Sequence, residues 1–147
     1  MNNPRYQQKE MIYDIAGGHN EVMVVELNAQ CALLDIVTRR FAAEFPETWK
    51  EFMNICVNND FNVGSVSLHK EHGITIAILQ NVYYRVGPDK DVSESIRDMT
   101  LESLRSLIKK VGRDKQFISG YIGPKDVWGS IVQFIKKENL NWIVYRE

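Results

Sequence analysis

Three places in the chain combine residue types able to hold a small polar ligand. Asp14 lies between Tyr13 and Ile15, just ahead of the turn-like cluster Gly17-Gly18-His19-Asn20. A carboxylate at a strand end accepts hydrogen bonds, and the exocyclic amine of a base is a suitable donor. The same group can instead close its own turn onto a nearby backbone amide. Asn28 directly follows the apolar run Glu21 to Leu27 (EVMVVEL). A buried amide needs partners, so it either pins adjacent loops or faces the hydroxyls of a sugar. Gly120 and Gly123 flank Tyr121 and Ile122, immediately before Pro124 and a helical pattern. The free amides and partial positive charge of a helix N-terminus suit a pyrophosphate, and Pro124 fits a first helical turn. Paired glycines are also common in strand-to-helix turns that bind nothing.

Other polar residues offer less. Tyr121 and Trp128 have rings that can stack on a base or ribose, although an aromatic near a helix start usually joins the core. Asp35 is the first candidate for positioning a water, should the chain be an enzyme. His19 sits in the glycine turn. His69 and His72 form an HxxH read as exposed residues of a hairpin turn, without the third ligand a zinc site needs. No Walker loop, HExxH, GxGxxG or Ser-His-Asp order occurs, which argues against nucleophilic and metal-dependent mechanisms.

These residues need a scaffold, and 147 residues suffice for one domain with a sizeable core. A hydrophobic share of 44% and a charged share of 25% are those of a globular protein. The net charge of -1 supplies no global field for nucleic acid or an anionic membrane. No apolar run approaches the roughly 20 residues that span a bilayer. Cys31 and Cys56 form no CxxC pair and read as buried free thiols, and the N-terminus has no apolar leader segment. Together these features predict a cytoplasmic protein without a membrane segment, a metal or a cofactor.

The order of elements follows from periodicity. Residues 1–8 read as a polar lead-in, 9–15 as a strand and 21–27 as a strand buried on both faces. Apolar residues at 33, 34, 37, 41 and 45 have helical spacing, and Pro46 opens a second helix. Strands at 63–69 and 73–80 form a hairpin through Lys70-Glu71-His72, and 81–91 reads as a loop. A helix over 93–111 is capped by Ser93 or Ser95 and closed by Lys109, Lys110 and Gly112. A strand at 116–121, a helix to about 137 and a strand at 141–145 complete the chain. The expected fold is a single α/β domain, a three-layer α/β/α sandwich with a mixed central sheet.

That order, with these residues at its junctions, resembles the macro domain family from about Glu10 to Arg146. Tyr13-Asp14-Ile15 is similar to the family's Gly-Asp-Ile, whose aspartate accepts from the adenine amino group. Leu27-Asn28-Ala29-Gln30 resembles its Val-Asn-Ala-Ala-Asn, and Ile118 to Gly123 (ISGYIG) its phosphate loop. The nearest branch is the compact one that includes the terminal ADP-ribose glycohydrolase. The resemblance implies a ligand-binding set of Asp14, Asn28, Gly120, Tyr121, Ile122 and Gly123, with ADP-ribose or a related nucleotide as ligand. The chain would act as a reader or sequestering module, and an ADP-ribosylated or other protein is a further implied partner. Where the family has a glycine run before its first long helix, this chain has Cys31-Ala32-Leu33-Leu34-Asp35, and the branch's catalytic lysine has no secure counterpart. Two alternatives stay open beside binding: an ADP-ribosyl hydrolase, and a degenerate macro fold serving as an assembly module.

Overall fold

A computed structural model describes residues 3–8, 20–28, 36–58, 62–81, 90–123 and 125–146. The described elements are β1 (Arg5–Gln8), β2 (Glu21–Asn28), α1 (Ile36–Glu44), α2 (Pro46–Val57), β3 (Ser65–Glu71), β4 (Ile74–Asn81), α3 (Lys90–Val111), β5 (Gln116–Ser119), α4 (Lys125–Lys137) and β6 (Asn141–Arg146). They build one sheet in the order β1-β6-β5-β2-β4-β3, parallel except for the antiparallel β3–β4 hairpin at one edge. The sheet is therefore mixed, as expected.

β2 explains the layers. Its side chains alternate between faces, yet both faces are apolar. Val22 and Val24 pack with Leu104 and Leu107 of α3 and with Val127, Ile131, Phe134 and Ile135 of α4. Met23, Val25 and Leu27 pack with Phe41 of α1, with Phe45, and with Phe52 of α2. A strand covered on both sides has no need of a polar face, hence the continuous apolar run. The result is the α/β/α sandwich.

Several element ends are fixed by specific bonds. Phe45 occupies the N-cap of α2 and makes no side-chain capping bond. Glu71 of β3 supplies the missing acceptor: its Oε1 accepts from the Thr48 amide at 2.7 Å and its Oε2 from the Glu47 amide at 3.3 Å. Burial pushes the Glu71 carboxyl up, but the Thr48 and Glu47 amides and the charge of His72 outweigh it and hold the group below its ordinary value. On the other face, Lys110 Nζ donates to the Val66 carbonyl at 2.6 Å and Ser106 Oγ to the Gly64 carbonyl at 3.2 Å, tying α3 to the edge strand.

Four expectations need correction. Arg5–Gln8, read as a polar lead-in, is a strand paired with β6, because a backbone ladder does not require apolar side chains. α3 begins at Lys90, ahead of both serines proposed as caps. The hairpin turn is His72-Gly73, at φ 54 and 75, and His69 lies inside β3, buried. Cys56 is disulfide-bonded and no described cysteine is free. The chain's other cysteine, Cys31, lies outside the described residues, and the expectation of a free thiol fails at Cys56.

Candidate functional site

β2, β4, β5 and β6 run parallel, so their carboxyl ends meet at one edge of the sheet. In open α/β sheets, ligands collect along that edge. Asn28 closes β2 there, level with Asn81 at the end of β4. On the other side of β2, the neighbouring strand β5 ends at Ser119 and passes through residues 120–123 into α4. Two of the three sequence-derived stretches thus stand on adjacent strands at a common edge. Asp14, like His19 and Asp35, lies outside the described residues.

The turn after β5 is held from below. The Ser119 hydroxyl is fully buried, donates to the Gly120 carbonyl at 2.7 Å and accepts from the Trp142 indole at 2.8 Å. Trp142 is itself stacked on Phe117 with ring centroids 5.1 Å apart. The Ile122 side chain is buried in the core beside Val127 and Ile131, so Ile122 offers a ligand its backbone only. Gly123 has φ 76, and a Cβ there would stand 3.4 Å from Val127 Cγ1. The contact is an ordinary one, and it is the positive φ that calls for glycine at this position.

Tyr121 points outward and is 54% exposed. Its ring meets Trp128 edge-on at 5.1 Å and lies 6.3 Å from Tyr6. The Trp128 indole donates to the Tyr6 hydroxyl at 3.2 Å, and Trp128 is partly buried against the core. An aromatic surface of three rings therefore borders the turn, built from β1, the turn itself and α4. Nearby at the end of β6, burial and then the charge of Glu21 push the Tyr145 hydroxyl above its ordinary value, leaving a neutral phenol at physiological pH.

Glu26 is the residue that sequence reasoning missed. Its Oε1 accepts from the Gly123 amide at 3.1 Å, placing a carboxylate on the turn that opens α4. The signal was available: a lone charge interrupts a strand whose other residues from 22 to 27 are apolar and buried. A strand covered on both faces tolerates such a group only where a donor meets it. Among the described residues no cluster of His, Cys, Asp or Glu is able to hold a metal ion. No described helix is long and apolar enough to cross a membrane.

No protein-family model matches the chain, and no curated protein matches it significantly. Solved structures do. The macrodomain of Mycobacterium tuberculosis DarG superposes with a TM-score of 0.69 at 13% identity, over 98% of this chain and 99% of that one. The macrodomain of Thermus aquaticus DarG gives 0.70 at 14% identity, over 97% of each chain. Thermosipho africanus DarTG, solved in complex with ADP-ribose, gives 0.57 at 17% identity, over 84% of this chain and 37% of that one. With the strand order and layers described above, these likenesses make the fold of this chain a divergent macrodomain fold.

Proposed function

We propose that the protein binds ADP-ribose or a closely related nucleotide at the carboxyl edge of its sheet, as a reader or sequestering module acting in the cytoplasm. The observation that carries this reading is the adjacency of the Asn28 end of β2 and the Gly120–Gly123 turn of β5, in a fold one of whose solved neighbours holds ADP-ribose. In this reading the turn amides face the diphosphate, Asn28 a ribose hydroxyl and Asp14 the adenine amine. The exposed ring of Tyr121 supplies a stacking face beside them. A reader would meet its nucleotide on an ADP-ribosylated protein.

A second reading is favoured by Glu26. Its carboxylate already satisfies the Gly123 amide, as expected of a fold kept as an interaction module without a nucleotide. Calorimetry against ADP-ribose, NAD and AMP separates the two. Saturable heat with ADP-ribose supports the binding module; a folded sample giving none with any of the three leaves the interaction module. Incubation with an ADP-ribosylated acceptor tests hydrolysis in the same preparation, release at the buffer rate leaving binding alone.

A further inference from the structure

On the far edge of the sheet, away from the nucleotide site, three side chains form a connected array. Ser67 and His69 lie two residues apart on β3 and so share one face, the face covered by α2. Glu51 of α2 reaches down to that face. His69 Nε2 is 2.8 Å from Ser67 Oγ, and His69 Nδ1 is paired with Glu51 Oε2. The histidine side chain is only 4% exposed, whereas Glu51 is 56% exposed.

With the ring neutral, as a general base must be, the chemistry of the partners gives one arrangement of the protons. An ionised carboxylate only accepts, so Nδ1 carries the proton that meets Glu51. Nε2 of the neutral ring then has a lone pair, and the Ser67 hydroxyl donates to it. Nucleophile, base and orienting carboxylate therefore stand in the order that activates a serine for acyl transfer. Sequence inspection misses this because the carboxylate precedes the other two and sits on a separate helix.

The backbone adds a donor. Among the described strands β3 stands at the end of the sheet, with β4 on one side only. The Val66 carbonyl bonds Lys110 Nζ, so the Val66 backbone faces away from β4. Antiparallel alternation puts the Leu68 amide on the same free edge, next to the serine it follows. An amide there is suited to an oxyanion developing at Ser67.

We propose that Ser67 is an activated nucleophile with esterase activity toward small carboxylic esters, with His69 as general base and Glu51 as the positioning residue. The small acyl group follows from Ser67 being half-buried beneath α2. Ser67 Oγ attacks the ester carbonyl carbon, and its proton passes to His69 Nε2. The carbonyl–alkoxy bond breaks, and the leaving alkoxide takes that proton and departs as the alcohol. Water repeats the sequence on the acyl-serine, releasing the carboxylic acid and restoring Ser67.

The test treats the full chain with a small fluorophosphonate, locates the adduct by peptide mass spectrometry, and follows p-nitrophenyl acetate hydrolysis in parallel. The expected result is one adduct per chain, on Ser67, absent in S67A. H69Q slows labelling and hydrolysis by about 100-fold or more, the usual range for a general base. E51Q slows both while keeping the wild-type thermal transition, which separates positioning from folding should H69Q be unstable. Ser65, on the same strand but bonded to Asn62 and Gln80, is the internal control and stays unlabelled. No adduct on folded protein, equal labelling of Ser65, or an E51Q rate equal to wild type overturns the proposal. Nucleotide binding in the same preparation is unaffected by either outcome.

Discussion

Glu26 Oε1 accepts a hydrogen bond from the Gly123 amide at 3.1 Å, so a carboxylate of β2 rests on the turn that leads into α4. The contact sets a carboxylate where the amides of a helix N-terminus favour negative charge. It also sets a condition on any diphosphate ligand, which must share the turn with a like charge or displace it.

Replacing Glu26 by glutamine keeps an oxygen on the Gly123 amide and removes the charge. The expected outcome for E26Q is an affinity for ADP-ribose raised by about tenfold or more, since a desolvated like-charge contact is strongly unfavourable. Affinity for uncharged adenosine stays unchanged. Calorimetry with the two ligands checks it, and a parallel change for both would mean that Glu26 shapes the turn rather than charging it.

Gly123 tests the turn from the backbone side. G123A forces a Cβ into a positive-φ position 3.4 Å from Val127 Cγ1. The expected loss is about 1–2 kcal/mol of stability, read in urea unfolding. G120A is the contrast: Gly120 has no positive φ, and the atom nearest to its added Cβ is the Tyr145 carbonyl at 4.0 Å, so stability is preserved.

The legible parts of the fold are those written in periodicity. The run from 22 to 27 announced a doubly covered strand, and residues 125–137 and 141–145 fell where apolar spacing put them. From β2 onward the order of the elements was readable for the same reason, while the strand expected over 9–15 lies outside the described residues. β1 was not, because an edge strand such as Arg5–Gln8 is defined by its ladder to β6 and carries polar side chains. At the site, glycine spacing revealed the turn of 120–123, but no local signal shows that Glu26 bonds a residue so far along the chain. His69 was misread for a similar reason. Its burial depends on α2 lying over β3, a contact between segments that sequence spacing does not connect.

The cap on α2 predicts a pH dependence. The Glu71 carboxyl titrates below its ordinary value in the folded protein, so the folded state binds fewer protons than the unfolded one as pH falls. The stability it contributes is complete above the ordinary carboxylate range and is lost as pH drops through the lowered folded value. E71Q keeps one acceptor but loses the charge. It is expected to lower stability by about 1 kcal/mol at neutral pH and to flatten the acid side of the stability profile. Urea unfolding at a series of pH values from neutral to acid measures both, and identical acid slopes for the two proteins would remove Glu71 as the cause.

The disulfide at Cys56 predicts a response to reductant. The one other cysteine in the sequence is Cys31, which lies outside the described residues, so pairing within a single chain is an expectation and would close the segment from 31 to 56. That segment contains α1 and most of α2, the layer that packs Phe41 and Phe52 against Met23 and Leu27. A crosslink of this span restricts the unfolded chain and contributes roughly 3 kcal/mol. Dithiothreitol or C56S is expected to remove that stability, and non-reducing peptide mapping should recover the 31–56 pair. A persistent bond would also bear on location, because such crosslinks survive mainly in oxidising compartments. Protein trapped with alkylating reagent directly from its host, with both thiols alkylated, would keep the cytoplasmic proposal and assign the bond to oxidation after lysis.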